Sequence, residues 1–194
     1  MESLDDPRLV RQAQRGDAAA FEALTRPYYA SLLRLILALC QNIDDAEDCL
    51  QEALVGAYRS MDTFRGEASV HTWLHRVAIN TTRNWMRSNA RATKQQLACQ
   101  DEPAGPRNTG NPEQALLDAE SCRMTRTALL RLPCHYREPL LLRYYQGMSY
   151  QETADILQIP IGTVRSRIAQ AKVLLQRHLA AVGLQAVPLT RCAR

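Results

Sequence analysis

The 194-residue chain has only two phenylalanines, eight glycines and nine prolines. With so little glycine and so few aromatics, a sequence rich in Leu, Ala, Arg and Gln favours helix over sheet. No apolar run reaches the roughly 18 residues a membrane span needs; Leu32 to Cys40 is too short and is interrupted by Arg34. The first residues, Met1-Glu2-Ser3-Leu4-Asp5-Asp6, are acidic where a signal peptide is basic. A cytoplasmic protein with no direct membrane insertion is expected. Six cysteines stand at 40, 49, 99, 122, 134 and 192, and none forms C-x-x-C, which excludes a zinc ribbon and a thioredoxin-like motif. Free thiols, several packed in cores, are expected, with redox sensing at Cys49 or Cys122 the less favoured alternative. His71 and His75 share a helical spacing, but there is no H-E-x-x-H pattern and no third ligand. No nucleophile–base pair or phosphate loop is present. Neither a metal, a cofactor nor an enzymatic activity is expected.

The net charge of +4 hides an asymmetry. Residues 1–90 carry 10 basic and 12 acidic side chains, residues 91–118 carry 3 and 4, and residues 119–194 carry 11 and 4. The C-terminal third is basic, as a phosphate-binding module should be. A second basic island holds Arg65, Arg76, Arg83, Arg87, Arg91 and Lys94 against Glu67 alone. Two basic patches suggest two contacts on one nucleic acid.

The most informative stretch is Ser149 to Leu179. Ser149 followed by Glu152 is a capping box that starts a short helix ending near Leu157. Pro160 and Gly162 then punctuate a tight turn. In the next helix Val164, Ile168, Ala171, Leu175 and Leu179 repeat on one face, which assigns Ile168 to the core. Arg165, Ser166, Gln170, Lys172, Gln176 and Arg177 occupy the other. This describes a helix-turn-helix whose second helix can enter a major groove. It also describes any helical hairpin with a solvated face, and the spacing alone leaves both open.

From the N-terminus, Asp6-Pro7 opens a helix ending near Gly16, and Asp17 caps a second that Pro27 should kink or split. Asp44 and Glu47 repeat the cap pattern before a helix with Leu50, Leu54, Ala57 and Met61 (or Tyr58) as its buried stripe. Asp48, Gln51 and Glu52 share its outer face, where acid would repel DNA and suit a protein partner. The loop Met61 to Ala68 leads to Ser69, the expected cap of a long helix reaching Arg87. Val70, Leu74, Val77, Ala78, Thr81 and Trp85 form its core stripe. Arg76, Asn80, Arg83 and Arg87 recur on another face, with cations for phosphate and an amide for a base edge. Phe64 and Trp73 could stack on exposed bases, although tryptophans are mostly buried and Trp85 is expected to be core. Residues 91–111 lose periodicity and gain breakers, as a linker does. Asn111-Pro112 restarts helix through Ala128 and Leu129 to Leu132-Pro133. Cys134 to Pro139 leads into Leu140 to Tyr145, and Gly147 is the expected stop.

The fold class expected is all-α, two small helical domains joined by a flexible linker. The boundaries are 1–92, linker 93–111, 112–182, and a mobile tail 183–194. The matching residues are Asp48-x-x-Gln51-Glu52-Ala53, Phe64-Arg65-Gly66, Thr72-Trp73-Leu74-x-Arg76-Val77-Ala78-x-Asn80, Leu132-Pro133, Arg137-Glu138, Gly147-x-Ser149-Tyr150-x-Glu152-x-Ala154 and Pro160-x-Gly162-Thr163-Val164-x-Ser166-Arg167. In this order they resemble the extracytoplasmic-function sigma factors of bacterial RNA polymerase. The resemblance implies that Asp48, Gln51 and Glu52 face the core polymerase, chiefly its beta-prime subunit and with beta as a further partner. It implies that Phe64, Arg65, Trp73, Arg76, Asn80 and Arg83 hold the promoter's minus-ten element as melted strand. It implies that Thr163, Arg165, Ser166, Arg167, Gln170 and Lys172 read the minus-thirty-five element as duplex. An anti-sigma factor, in many such systems membrane-anchored, is implied as regulator. The chain departs from many relatives at Ala169 and Gln170, where an aromatic or arginine is frequent, and at His71 and His75, where aromatics are usual.

Two other readings compete. A one-component regulator would need a ligand or phosphoacceptor domain upstream, and residues 1–90 show no alternation of strands and helices. A helical enzyme or adaptor would leave the basic face without a role.

Overall fold

In a computed structural model, residues 6–93 and 124–180 are described, with side chains over 6–88 and 124–180. The expected linker 93–111 beyond Thr93, the restart at Asn111-Pro112 and the tail 183–194 lie outside them, as do Cys99, Cys122 and Cys192. The chain divides into two compact units. Every regular element among the described residues is helical.

The N-terminal unit begins with α1, Pro7–Gln14. Asp6 caps it through a 2.8 Å bond from the Arg8 N–H, and proline fills the first helical position, where no donor is needed. Gly16 turns the chain at φ +88°, a conformation glycine adopts without steric cost. Asp17 then caps α2, Ala18–Thr25, accepting from the Ala19 and Ala20 N–H groups. Pro27 splits the next helix as expected. A 3-10 turn, Arg26–Tyr28, separates α2 from α3, Tyr29–Cys40.

The start of α4, Ile43–Arg59, differs from expectation. Its cap is Asn42, whose Oδ1 accepts from the Asp44 and Asp45 N–H groups. Gln41 adopts a left-handed φ of +74°, which delivers Asn42 in the extended conformation a cap requires. Asp44 is therefore inside the first turn, where its charge still complements the helix dipole.

A 3-10 turn, Met61–Thr63, leads to α5, Val70–Thr93, six residues longer than expected at its C-terminus. Ser69 caps it, with Oγ accepting from the Thr72 N–H at 3.1 Å. The core gathers Phe21, Leu24, Leu32, Ile36, Leu50, Ala57, Met61, Val70, Leu74 and Ala78. Trp73, Val77 and Trp85 pack on its rim, and Thr81 is half-buried. Leu54 is likewise at the rim, and Tyr58 is exposed. His75 is completely buried on the same helix, a position the expected stripe did not include.

The C-terminal unit contains α6 (124–130), α7 (Cys134–Leu140), α8 (Tyr150–Leu157) and α9 (Ile161–Ala180). α7 runs through Pro139 and widens into a π turn, Leu141–Tyr145, an irregularity the sequence did not announce. Gly147 ends the segment at φ +74°. Arg137 and Glu138 are buried. The Arg137 guanidinium donates to the Leu130 and Leu132 carbonyls, satisfying acceptors at the end of α6 that have no helical partner.

Candidate nucleic-acid and protein-docking faces

The helix-turn-helix is built as its sequence dictates. The Ser149 hydroxyl accepts from the Glu152 N–H at 3.1 Å, and the Glu152 carboxylate accepts from the Ser149 N–H at 2.7 Å. Both halves of the capping box are present. The turn itself differs from expectation. Its left-handed residue is Gln158 at φ +55°, while Gly162 lies within the first turn of α9. Pro160 still marks the boundary: it immediately precedes α9, and its carbonyl accepts from the Thr163 and Val164 N–H groups.

α9 then separates its residues by face. Val164, Ile168, Ala171, Leu175 and Leu179 are all 4% exposed or less. Arg165, Ser166, Gln170, Gln176 and Arg177 are exposed, and Thr163, Arg167 and Lys172 are half-buried. The Ser166 hydroxyl donates back to the Thr163 carbonyl at 3.0 Å. That leaves its oxygen as an acceptor for a base or phosphate-bound donor.

Two tyrosines order the cations on this unit. Lys172 Nζ lies 4.7 Å over the Tyr144 ring, and the Arg165 guanidinium 5.8 Å over Tyr150. Arg143 lies 5.8 Å from Tyr144 and 5.2 Å from Tyr150, and donates to the Met148 carbonyl. Cation–π attraction holds such side chains over aromatic faces at about 0.5–1 kcal/mol where exposed. Tyr144 and Arg143 were not singled out by sequence reasoning, and Tyr150 was read as a motif residue without a contact of its own. Their contacts join three elements, and no local spacing encodes them.

On the N-terminal unit, Asp48, Gln51 and Glu52 are exposed on α4. The opposite face buries Ala46, Cys49, Leu50, Ala53 and Ala57. Val55 is 43% exposed one turn further on. An exposed valine beside carboxylates suits a protein surface rather than a phosphate backbone, and the sequence reading passed over it. Burial holds the Asp45 carboxyl above the usual range, assisted by the charges of Asp44 and Asp48. Cys40, Cys49 and Cys134 are thiols rather than disulfide partners, and the Cys40 thiol donates to the Cys49 sulfur at 4.0 Å. Burial pushes the Cys49 thiol up, toward its unreactive protonated form, against a smaller opposing effect of the hydrogen bond from Cys40.

The loop after α4 carries Phe64 and exposed Arg65, with Gly66 at φ +72°. The Phe64 and Trp73 rings lie 5.2 Å apart at 51°, both half-buried against the core. The two aromatics thus support one another at the edge of the core. On α5, Asn80 and Arg87 are exposed and Arg76 and Arg83 half-buried. Arg83 Nη1 reaches Asn80 Oδ1 at 3.5 Å.

His71 and His75 pack against one another and against the core. Their rings lie 4.3 Å apart, and His71 also stacks at 5.3 Å on Tyr28. The His75 Nδ1–H donates to the His71 carbonyl at 2.8 Å, which leaves Nε2 to face the Ser31 hydroxyl at 3.4 Å. Burial lowers the His75 pKa to about 4. Among the described residues no group of three His, Cys, Asp or Glu side chains could hold a metal ion. Among them, too, no helix is long and apolar enough to cross a membrane.

A helical unit with an acid-faced helix and a basic helix, followed by a unit ending in a groove-sized basic helix, is an arrangement that suits a DNA-binding transcription protein. Comparison with known proteins narrows the class. The Sigma-70 region 2 family matches residues 24–92, and Sigma-70 region 4 matches 122–175. The chain is 34% identical over 180 residues to the RNA polymerase sigma-H factor of Pseudomonas aeruginosa, covering 90% of this chain and 93% of that one. It is 32% identical over 184 residues to the ECF RNA polymerase sigma-E factor of Haemophilus influenzae, covering 92% and 97%. It resembles the sigma factor RpoE of Bartonella quintana, solved in complex with the anti-sigma factor NepR, with a TM-score of 0.67 and 25% identity over 82% of this chain and 96% of that one. CnrH, solved with the cytosolic domain of CnrY, shares the fold at a TM-score of 0.68 and 24% identity over 92% and 99%. The chain belongs to the ECF family of RNA polymerase sigma factors. It is a factor for promoter-specific transcription initiation and not an enzyme.

Proposed function

We propose that the three faces divide the work of initiation. The Asp48, Gln51 and Glu52 face of α4 docks core polymerase, with Val55 extending the contact. The Phe64–Arg65 loop, with Trp73, Arg76, Asn80 and Arg83, holds the minus-ten element as melted strand. Cations track the backbone there, and capture of unpaired bases offsets the cost of opening. α9 enters the minus-thirty-five major groove. Arg165 and Arg167 donate to guanine or phosphate, Ser166 accepts, and Thr163, Gln170 and Lys172 complete the contact. The protein acts in the cytoplasm, where the polymerase and its template are. An anti-sigma factor restrains it, by analogy with the NepR-bound relative.

The observation that carries this reading is the division of α9 between five buried apolar positions and an exposed basic and polar face. Reconstitution tests it. The chain added to core polymerase should direct transcripts from discrete genomic promoters, each start preceded by two conserved elements. If transcripts start at random, or the polymerase stays silent on every genomic fragment, the reading fails.

A further inference from the structure

The Phe64 loop is tied to a helix that precedes it by 50 residues. Gln14 Nε2, at the end of α1, donates to the Phe64 carbonyl at 2.8 Å. The Phe64 N–H donates in turn to the Met61 carbonyl at 3.2 Å. Both backbone groups of Phe64 are thus held, one by its own turn and one by a side chain from elsewhere.

The Gln14 end is itself fixed. The Asp17 N–H donates to Gln12 at 3.1 Å, and the Tyr58 hydroxyl donates to the Gly16 carbonyl at 2.7 Å. The Tyr58 ring meets Phe21 edge-on at 5.2 Å. Gln14 therefore reaches the loop from a position held by α1, α2 and α4 together.

The consequence follows from the peptide plane. In a trans peptide the carbonyl and the next N–H point in opposite directions. With the Phe64 carbonyl drawn to Gln14, the Arg65 N–H points away from α1, and no protein acceptor among the described residues meets it. Arg65, Gly66 and Glu67 are exposed there. Without the Gln14 bond only the torsions on either side, Phe64 ψ and Arg65 φ, would hold this peptide.

We propose that Gln14 is a positioning residue for the minus-ten grip. It fixes the Phe64–Arg65 peptide so that the Arg65 N–H and guanidinium face the melted strand together. This rests on the reading of that loop as the strand-binding element.

The test uses holoenzyme reconstituted from the full chain and core polymerase. A fluorescent single-stranded oligonucleotide carrying the minus-ten sequence of a mapped promoter is titrated at several salt concentrations. Gln14→Met keeps the length and removes the donor; Gln14→Glu keeps the shape and replaces the donor with an acceptor. Gln14→Met should weaken strand binding about 3- to 10-fold, the range of one net hydrogen bond, and Gln14→Glu at least as much. The slope of log affinity against log salt should not change for Gln14→Met, because no phosphate contact is lost. Core polymerase affinity should match the parent, and the thermal midpoint should fall by only the few degrees that one net hydrogen bond is worth. A joint fall in polymerase and strand affinity would mean a merely structural role and would overturn the proposal. So would unchanged strand binding in both variants while Arg65→Ala weakens it. If Arg65→Ala also has no effect, the strand-binding reading of the loop falls, and the proposal with it.

Discussion

His75 should make the N-terminal unit acid-sensitive. Its ring is 0% exposed and its pKa is lowered from 6.5 to about 4, first by burial and further by the nearby His71, against the opposing bond to the His71 carbonyl. The folded state therefore binds this proton less readily than the unfolded chain. Stability is full above pH 6.5, declines as the unfolded state takes up a proton, and stops declining near pH 4. The whole interval corresponds to about 3 kcal/mol, of which about 2 kcal/mol is lost by pH 5. Staying between pH 5 and 7 leaves most carboxylates ionised throughout. The chain's two tryptophans, Trp73 and Trp85, both lie on α5, so their fluorescence follows urea unfolding of this unit. His75→Phe removes the titration. The parent should lose about 2 kcal/mol more than the variant on going from pH 7 to pH 5. Parallel losses, or a ring that titrates near 6.5 by NMR, would refute the argument.

Other expectations concern the three faces. Glu52→Lys reverses an exposed charge and should leave the unfolding curve within about 0.5 kcal/mol of the parent. Its binding to core polymerase should weaken at least about tenfold, mostly through slower association; unaltered binding would remove α4 from the interface. Arg165→Ala should weaken minus-thirty-five duplex binding by about 1–3 kcal/mol and relax selection at one base pair if the contact is to guanine. If the contact is to phosphate, the loss should be uniform across sequences and the salt slope should fall by about 1. In either case polymerase affinity should hold, and its loss would contradict the assignment. Gly162→Ala places a methyl where no atom lies within 4 Å, in a helical turn. It should stabilise the C-terminal unit by about 0.5–1 kcal/mol in chemical denaturation; destabilisation would show that the first turn of α9 is more crowded than the geometry indicates.

What the sequence made legible is what short-range chemistry encodes. Asp6, Asp17, Ser69 and Ser149 are caps in the structure because a side-chain oxygen two or three residues ahead of an orphan amide is a local signal. The five buried positions of α9 could be read because their period is that of the helix. Asn42 shows the limit. Asp44 and Glu47 mimic a cap and its partner, and only the left-handed Gln41 puts the true cap two residues earlier. The same limit applied at the turn, where proline and glycine drew the eye and Gln158 supplies the positive φ. The contacts that went unread act across the fold. Gln14 and Tyr144 were passed over, and Arg137 and Tyr150 were read as motif residues without a role; all four have partners on other elements, which nothing in their immediate neighbours announces.

Gln14, Tyr144 and Tyr150 share one physical role, which is to restrain groups that other residues present. An exposed arginine or lysine gives up about 2 kcal/mol of rotamer freedom when it is fixed on DNA. If Arg165 and Lys172 bind DNA as proposed, Tyr150 and Tyr144, by holding them, meet part of that cost before DNA arrives. Gln14 holds a backbone peptide in the same way, through its bond to the Phe64 carbonyl. Pre-organisation of this kind matters most when each contact is weak and several must form together. On the proposed reading, two grips linked through one polymerase bind with a high effective concentration, so neither needs tight binding alone. Losing a restraint should then lower occupancy most at promoters where one of the two elements matches poorly, because there the remaining grip has the least affinity to spare. Promoter-resolved transcription by Tyr150→Leu would separate this from a simple loss of fold, which would lower all promoters alike.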